Sequence, residues 1–208
     1  MFDRVTPVVK NLIIINVIVF LGQGAFPQLE FYFMGHYPLS PEFQPWQMVT
    51  HMFMHGGFTH LLFNMFALFV FGSALERVWG AKRFLIYYLL CGVGAFFFYE
   101  FTLGIDIYQQ IGSFNPNRDL GWVVGASGSV FGLLLGFGML FPNTQLMLLF
   151  PPIPIKAKYF VIGYGAIELM MAFNNSPGDN VAHFAHLGGM LIGYIMIKKW
   201  QKERHNFY

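Results

Sequence analysis

Charge is what this chain has least of. Asp, Glu, Lys and Arg together make 11% of its 208 residues, where a soluble domain carries about a quarter. A surface so poor in charge faces something other than water, which excludes an ordinary soluble globular protein. Cysteine is almost missing as well. The single Cys91 excludes an intramolecular disulfide, a thiol-based metal cluster and a C-x-x-C redox motif. With no basic neighbour to activate its thiol, Cys91 reads as apolar filler. No basic run interleaves with aromatics and the net charge is only +2, so nucleic acid is not an expected partner. No H-E-x-x-H occurs, so metalloprotease chemistry of that type lacks its motif.

What is present in abundance is apolar and aromatic: 56% hydrophobic residues and 19% aromatics, with a mean hydropathy of +0.53. Apolar runs near the ~20-residue spanning length recur. They predict an all-α polytopic membrane protein forming a single membrane domain over 1–208. Six spans are expected, at roughly 12–26, 60–78, 84–105, 122–141, 159–173 and 181–197. Arg4 and Lys10 before the first apolar run would suit a signal peptide, but five further spans favour an uncleaved first helix. Of the 12 basic residues, all but Arg118 fall before span one, after span six, or in the connections 2–3 and 4–5. By the positive-inside rule both termini are then cytoplasmic. The long connection from Pro27 to Thr59 is aromatic and is broken by Pro38, Pro41 and Pro45, so it cannot be one helix. It is expected to lie in the outer membrane interface. The connection Asn174 to Asn180 is short and polar.

Spans two, four and six all run from outside to inside, and each opens with polar residues. His60 and Asn64 open span two, Ser127 opens span four, and His183 and His186 open span six. At 1.5 Å per residue all lie within roughly 10 Å of the outer boundary. Gly128, Gly132 and Gly136 flatten one face of span four, and Ala185, Gly189 and Gly193 do the same in span six. Small-xxx-small faces allow close backbone approach, although alone they signal only packing. Approach of these two faces would bring Ser127 within hydrogen-bond reach of His186. A serine nucleophile needs such a base. No acid is expected to orient His186: Asp179 is two turns away in a connection, and Glu168 lies in a span of opposite direction. The expectation is therefore a Ser–His dyad without an acid. His60 and Asn64 share a helical face at i and i+4, and with the Ser127 backbone N–H they are candidate oxyanion donors.

These elements resemble the rhomboid family of intramembrane serine proteases. The resemblance rests on Gly125-Ala126-Ser127-Gly128, His60-x-x-x-Asn64 and Ala185-His186-Leu187-Gly188-Gly189. It extends through His51, His55 and His60 and through Gly72-x-x-x-Glu76-x-x-x-Gly80. It covers nearly the whole chain in the minimal six-span form. By it, Ser127 is the nucleophile, His186 the general base, and His60 and Asn64 the oxyanion donors. It implies transmembrane proteins as substrates, cleaved near the outer face, no cofactor or metal, and the bacterial cytoplasmic membrane as location. One departure concerns the first outer loop, where Trp46-Gln47 stands in place of the Trp-Arg of many rhomboids.

Other readings attach to the same residues. A rhomboid-like protein that binds membrane clients without cleaving them is one, weakened by the presence of both Ser127 and His186. Metal binding by His51, His55, His60, His183 and His186 is another, with no carboxylate expected beside them. His183 is expected as a hydrogen-bonded neighbour, and His51 and His55 as structural or water-holding residues. Glu76 is expected as a structural anchor. Glu100 and Glu168, acids at membrane depth, invite a transport hypothesis, with a satisfied structural hydrogen bond expected for each.

Overall fold

A computed structural model describes residues 5–115, 122–148, 152–174 and 182–205. Arg118, Asp179 and most of the connection from Asn174 to Asn180 lie outside them. Nine α-helices occur among the described residues, and seven of them build six long helical rods. These are α1 (Pro7–Ala25), α4 (Phe58–Ala67) continued through a π-helical turn (Leu68–Gly72) into α5 (Ser73–Trp79), α6 (Ala81–Ile111), α7 (Ser127–Leu140), α8 (Ala157–Phe173) and α9 (His183–His205). The short helices α2 (Gln28–Phe33) and α3 (Gln47–Thr50) belong to the connection after α1. The all-α expectation holds. By length and composition α1, the continuous helix Phe58–Trp79 and α6 can each cross a membrane, while α7 is apolar but shorter.

Span four begins later than expected. Trp122–Val123 is not helical but forms strand β2, which pairs antiparallel with β1 (Gly35–His36). Gly125 follows with φ +119°, a backbone that L side chains avoid, and its N–H donates to the His51 carbonyl at 2.9 Å. The chain is thus tied to the first connection before α7 starts, and Ser127 becomes the first helical residue. A second hairpin, β3 (Gln145–Met147) with β4 (Pro154–Lys156), lies between α7 and α8.

α7 sits at the centre, packed by α6, α8 and α9. The glycine faces meet as expected. A Cβ built on Gly189 would lie 1.9 Å from the Gly128 carbonyl oxygen, and one on Gly132 would lie 2.5 Å from Cys91 Sγ. Helix α6 adds polar ties, with Tyr87 donating to the Gly132 carbonyl and Ser129 to the Tyr88 carbonyl, each at 2.7 Å. Cys91, buried against α7, is the filler the sequence suggested.

The prolines of the first connection break it into α2, β1, turns, α3 and a 3₁₀ turn at His51–Phe53. Gln47, the departure in the first outer loop, is fully buried. Its Oε1 accepts from Gln44 N–H at 3.0 Å, and its Nε2 faces the carbonyls of Tyr32 and Glu42 at 3.4 Å. A neutral amide suits this position because it both donates and accepts. The connection then leans on α6, where Phe96 stacks on Phe43 and lies beside His51.

Candidate active site

Ser127 is the N1 residue of α7, so its N–H is one of the four that have no intrahelical acceptor. His186 stands one turn into α9. The close contact of α7 with α9 sets these two side chains against each other, with His186 Nε2 2.9 Å from Ser127 Oγ. Phe131, one turn below Ser127, stacks on the imidazole at 4.1 Å between centroids and 10° between planes. The ring is therefore packed on one face and buried. Nothing in the sequence pattern singled out Phe131, since an apolar residue on an apolar helix carries no signal.

Glu168 is the principal correction. It was expected to be out of reach of His186, and its Oε2 instead lies 2.8 Å from His186 Nδ1 and 2.6 Å from His183 Nδ1. The reason is geometric. Helix α8 is antiparallel to α9, so its last residues share a depth with the first residues of α9. Glu168 is five residues from the end of α8, about 7.5 Å along the axis, while His186 is three residues into α9, about 4.5 Å. The bond expected for Glu168 is present, and His183 is the hydrogen-bonded neighbour expected. Glu100 differs: it is buried in α6, and its Oε2 finds no hydrogen-bond partner among the described residues.

His60 projects from α4 toward the same corner. A Cβ on Gly125 would meet His60 Cε1 at 2.7 Å and Nε2 at 2.8 Å, which places this ring over the backbone two residues before Ser127. Any side chain at 125 would displace it. Asn64 is buried, and its Nδ2 donates to the His60 carbonyl at 2.9 Å. A primary amide carries two N–H donors, so one remains for another acceptor. His51 and His55 support this corner from the first connection. His51 Nδ1 donates to the Gln47 carbonyl at 2.8 Å, and burial pushes His51 down to about 4. Burial, then the neighbouring His60, pushes His55 down to about 4. Both are neutral imidazoles at pH 7, in keeping with structural roles.

The five-histidine metal cluster weighed from the sequence does not assemble. Among the described residues, the ligating atoms that come within 4.8 Å of one another are those of Glu168, His183 and His186. In that group both Nδ1 atoms face one carboxylate oxygen, which is the geometry of two N–H donors on a shared acceptor.

Residues 42–200 match the family model described as Rhomboid domain. The chain is 36% identical over 163 residues to YdcA of Bacillus subtilis (strain 168), which carries the name of a rhomboid protease; the match covers 76% of this chain and 70% of YdcA. It is 28% identical over 211 residues to the rhomboid protease AarA of Providencia stuartii, covering 89% of this chain and 69% of that one. Rhomboid protein 1, mitochondrial, of Saccharomyces cerevisiae (strain ATCC 204508 / S288c) is 28% identical over 205 residues, covering 94% of this chain and 56% of its own length.

Proposed function

Because this integral membrane protein belongs to the rhomboid family, we propose that it is a serine endopeptidase that cleaves the transmembrane segments of other membrane proteins. The observation that carries this reading is the 2.9 Å approach of His186 Nε2 to Ser127 Oγ. The membrane domain spans the bilayer six times with both termini cytoplasmic, a reading supported by the placement of 11 of 12 basic residues. The site then faces the outer side, and a bacterial cytoplasmic membrane is the setting.

His186 Nε2 takes the Ser127 proton as Oγ bonds to the scissile carbonyl carbon, and the carbonyl π electrons move onto its oxygen. The Ser127 N–H, His60 and the second Asn64 N–H stabilise that oxyanion. Collapse breaks the C–N bond, and the leaving amine takes the proton from Nε2. Water then gives a proton to Nε2 as its oxygen adds to the acyl carbon. The second collapse frees the carboxylic acid and returns the proton to Oγ. An intact substrate helix hides its carbonyls in hydrogen bonds, so segments with Gly, Ser or Pro near the outer boundary are favoured.

Purified protein, in detergent or lipid, is incubated with a reporter transmembrane substrate. Ser127→Ala is expected to abolish cleavage, and a fluorophosphonate probe is expected to label Ser127 in the parent but not in His186→Ala. Cleavage by Ser127→Ala at the parent rate overturns the nucleophile assignment. Loss of cleavage on chelation favours the metal reading instead.

A further inference from the structure

The chemistry available to His186 is decided by what its far nitrogen meets. An ionised carboxylate only accepts hydrogen bonds, so the Nδ1 that faces Glu168 Oε2 at 2.8 Å carries the proton. Nε2 is then the bare nitrogen, and it is the one that faces Ser127 Oγ at 2.9 Å. That is the tautomer a general base for Ser127 requires; with the proton on Nε2, the ring could not accept from the hydroxyl. Glu168 is itself held. His183 Nδ1 donates to the same Oε2 at 2.6 Å, and the carboxyl group is buried in α8. Phe131 stacked on the imidazole restricts its rotation from the other side.

We infer that Glu168 is a positioning residue of this site, fixing the tautomer and plane of His186 and stabilising its cation. This rests on the serine-protease reading above and replaces the acid-free pair with a Ser127–His186–Glu168 triad. When Nε2 takes the Ser127 proton, the ring becomes an imidazolium whose Nδ1–H stays on Nδ1. The carboxylate keeps its negative charge beside that cation, and no proton passes to it. In surroundings poor in water such a pairing is stronger than in bulk. His183 acts on Glu168: its bond leaves the carboxylate one fixed oxygen shared between two rings.

The test is Glu168→Gln and Glu168→Asp in the full-length protein, assayed on the reporter substrate with the fluorophosphonate probe. Glu168→Gln keeps size and hydrogen bonding but removes the charge. Its kcat is expected to fall about 10²-fold or more, with KM within about twofold of the parent. Labelling of Ser127 slows by a similar factor, and the thermal unfolding transition stays in place. Glu168→Asp, which keeps the charge, is expected to be faster than Glu168→Gln, and this ordering decides the matter if the glutamine variant unfolds. Parent kcat in Glu168→Gln overturns the inference. So does equal loss in both variants accompanied by a displaced unfolding transition, which marks a structural role. If Ser127→Ala and His186→Ala still cleave, the serine-protease reading has failed. If those two are inactive while Glu168→Gln turns over normally, only the role of Glu168 is lost.

Discussion

Two buried glutamates sit at opposite ends of this bundle, at 4% exposure for Glu76 and 6% for Glu168, and their partners differ in kind. Glu76, in α5, accepts from Thr6 Oγ1 and from the N–H groups of Val8 and Val9, the last two at 3.1 and 3.0 Å. Those amides lie in the first turn of α1, where no intrahelical carbonyl is available and the helix dipole favours an anion. Pro7 opens that turn and has no N–H to satisfy. Glu76 therefore caps a helix from 67 residues away, and none of these three partners changes charge. Glu168 instead meets two imidazoles, one of them against a serine hydroxyl. Burial is common to the two glutamates; titratable partners are found at Glu168.

Substitutions at the two ends should separate activity from stability. The largest effect belongs to the site end. Asn64→Ala removes a proposed oxyanion donor and is expected to lower kcat about 10²–10³-fold while KM changes little, read by steady-state cleavage. An unchanged kcat removes Asn64 from the oxyanion set. At the other end, Glu76→Ala leaves the buried Val9 amide and the half-buried Val8 amide unpaired and is expected to cost about 1–3 kcal/mol of stability. Its kcat at temperatures below unfolding should equal the parent's, and a fall in kcat without a fall in stability would erase the difference between the two ends. The smallest effect is in pH. His51 and His55 are held near 4 in the folded protein against about 6.5 when unfolded. Between those values the unfolded chain binds more protons, so stability falls as pH drops through 6.5 and levels off near 4. Thermal unfolding followed over that range checks the slope, which should be shallower in His51→Gln.

Depth was readable from the sequence wherever helices were compared in the same direction. The common level of Ser127 and His186 agrees with that reading, with His60 over Gly125, and the Gly128 and Gly189 faces meet as their spacing suggests. Glu168 has no such signal: it lies in a helix of opposite direction, yet near the turn between two consecutive antiparallel helices opposite direction still permits equal depth. The apolar Trp122 and Val123 extend the expected span four five residues before α7, since periodicity cannot tell a short apolar strand from a helix turn. The pairing of β2 with β1 is a long-range contact that no local pattern encodes. The bonds of Gln47 depend on carbonyls of Tyr32 and Glu42 brought together by the folded connection, so its role had no local signature either.

The π-helical turn at Leu68–Gly72 determines which way both ends of that long helix look. Asn64 and Glu76 are twelve positions apart in the chain, and on an unbroken α-helix they would point about 120° apart. A π turn takes up one extra residue, about 100° of rotation, which leaves the two within about 20° of a common azimuth. One helix thereby serves a polar corner at one end and the first turn of α1 at the other, with both side chains directed into the bundle. The extra residue works as a phase corrector, setting two distant polar positions on a single inward line.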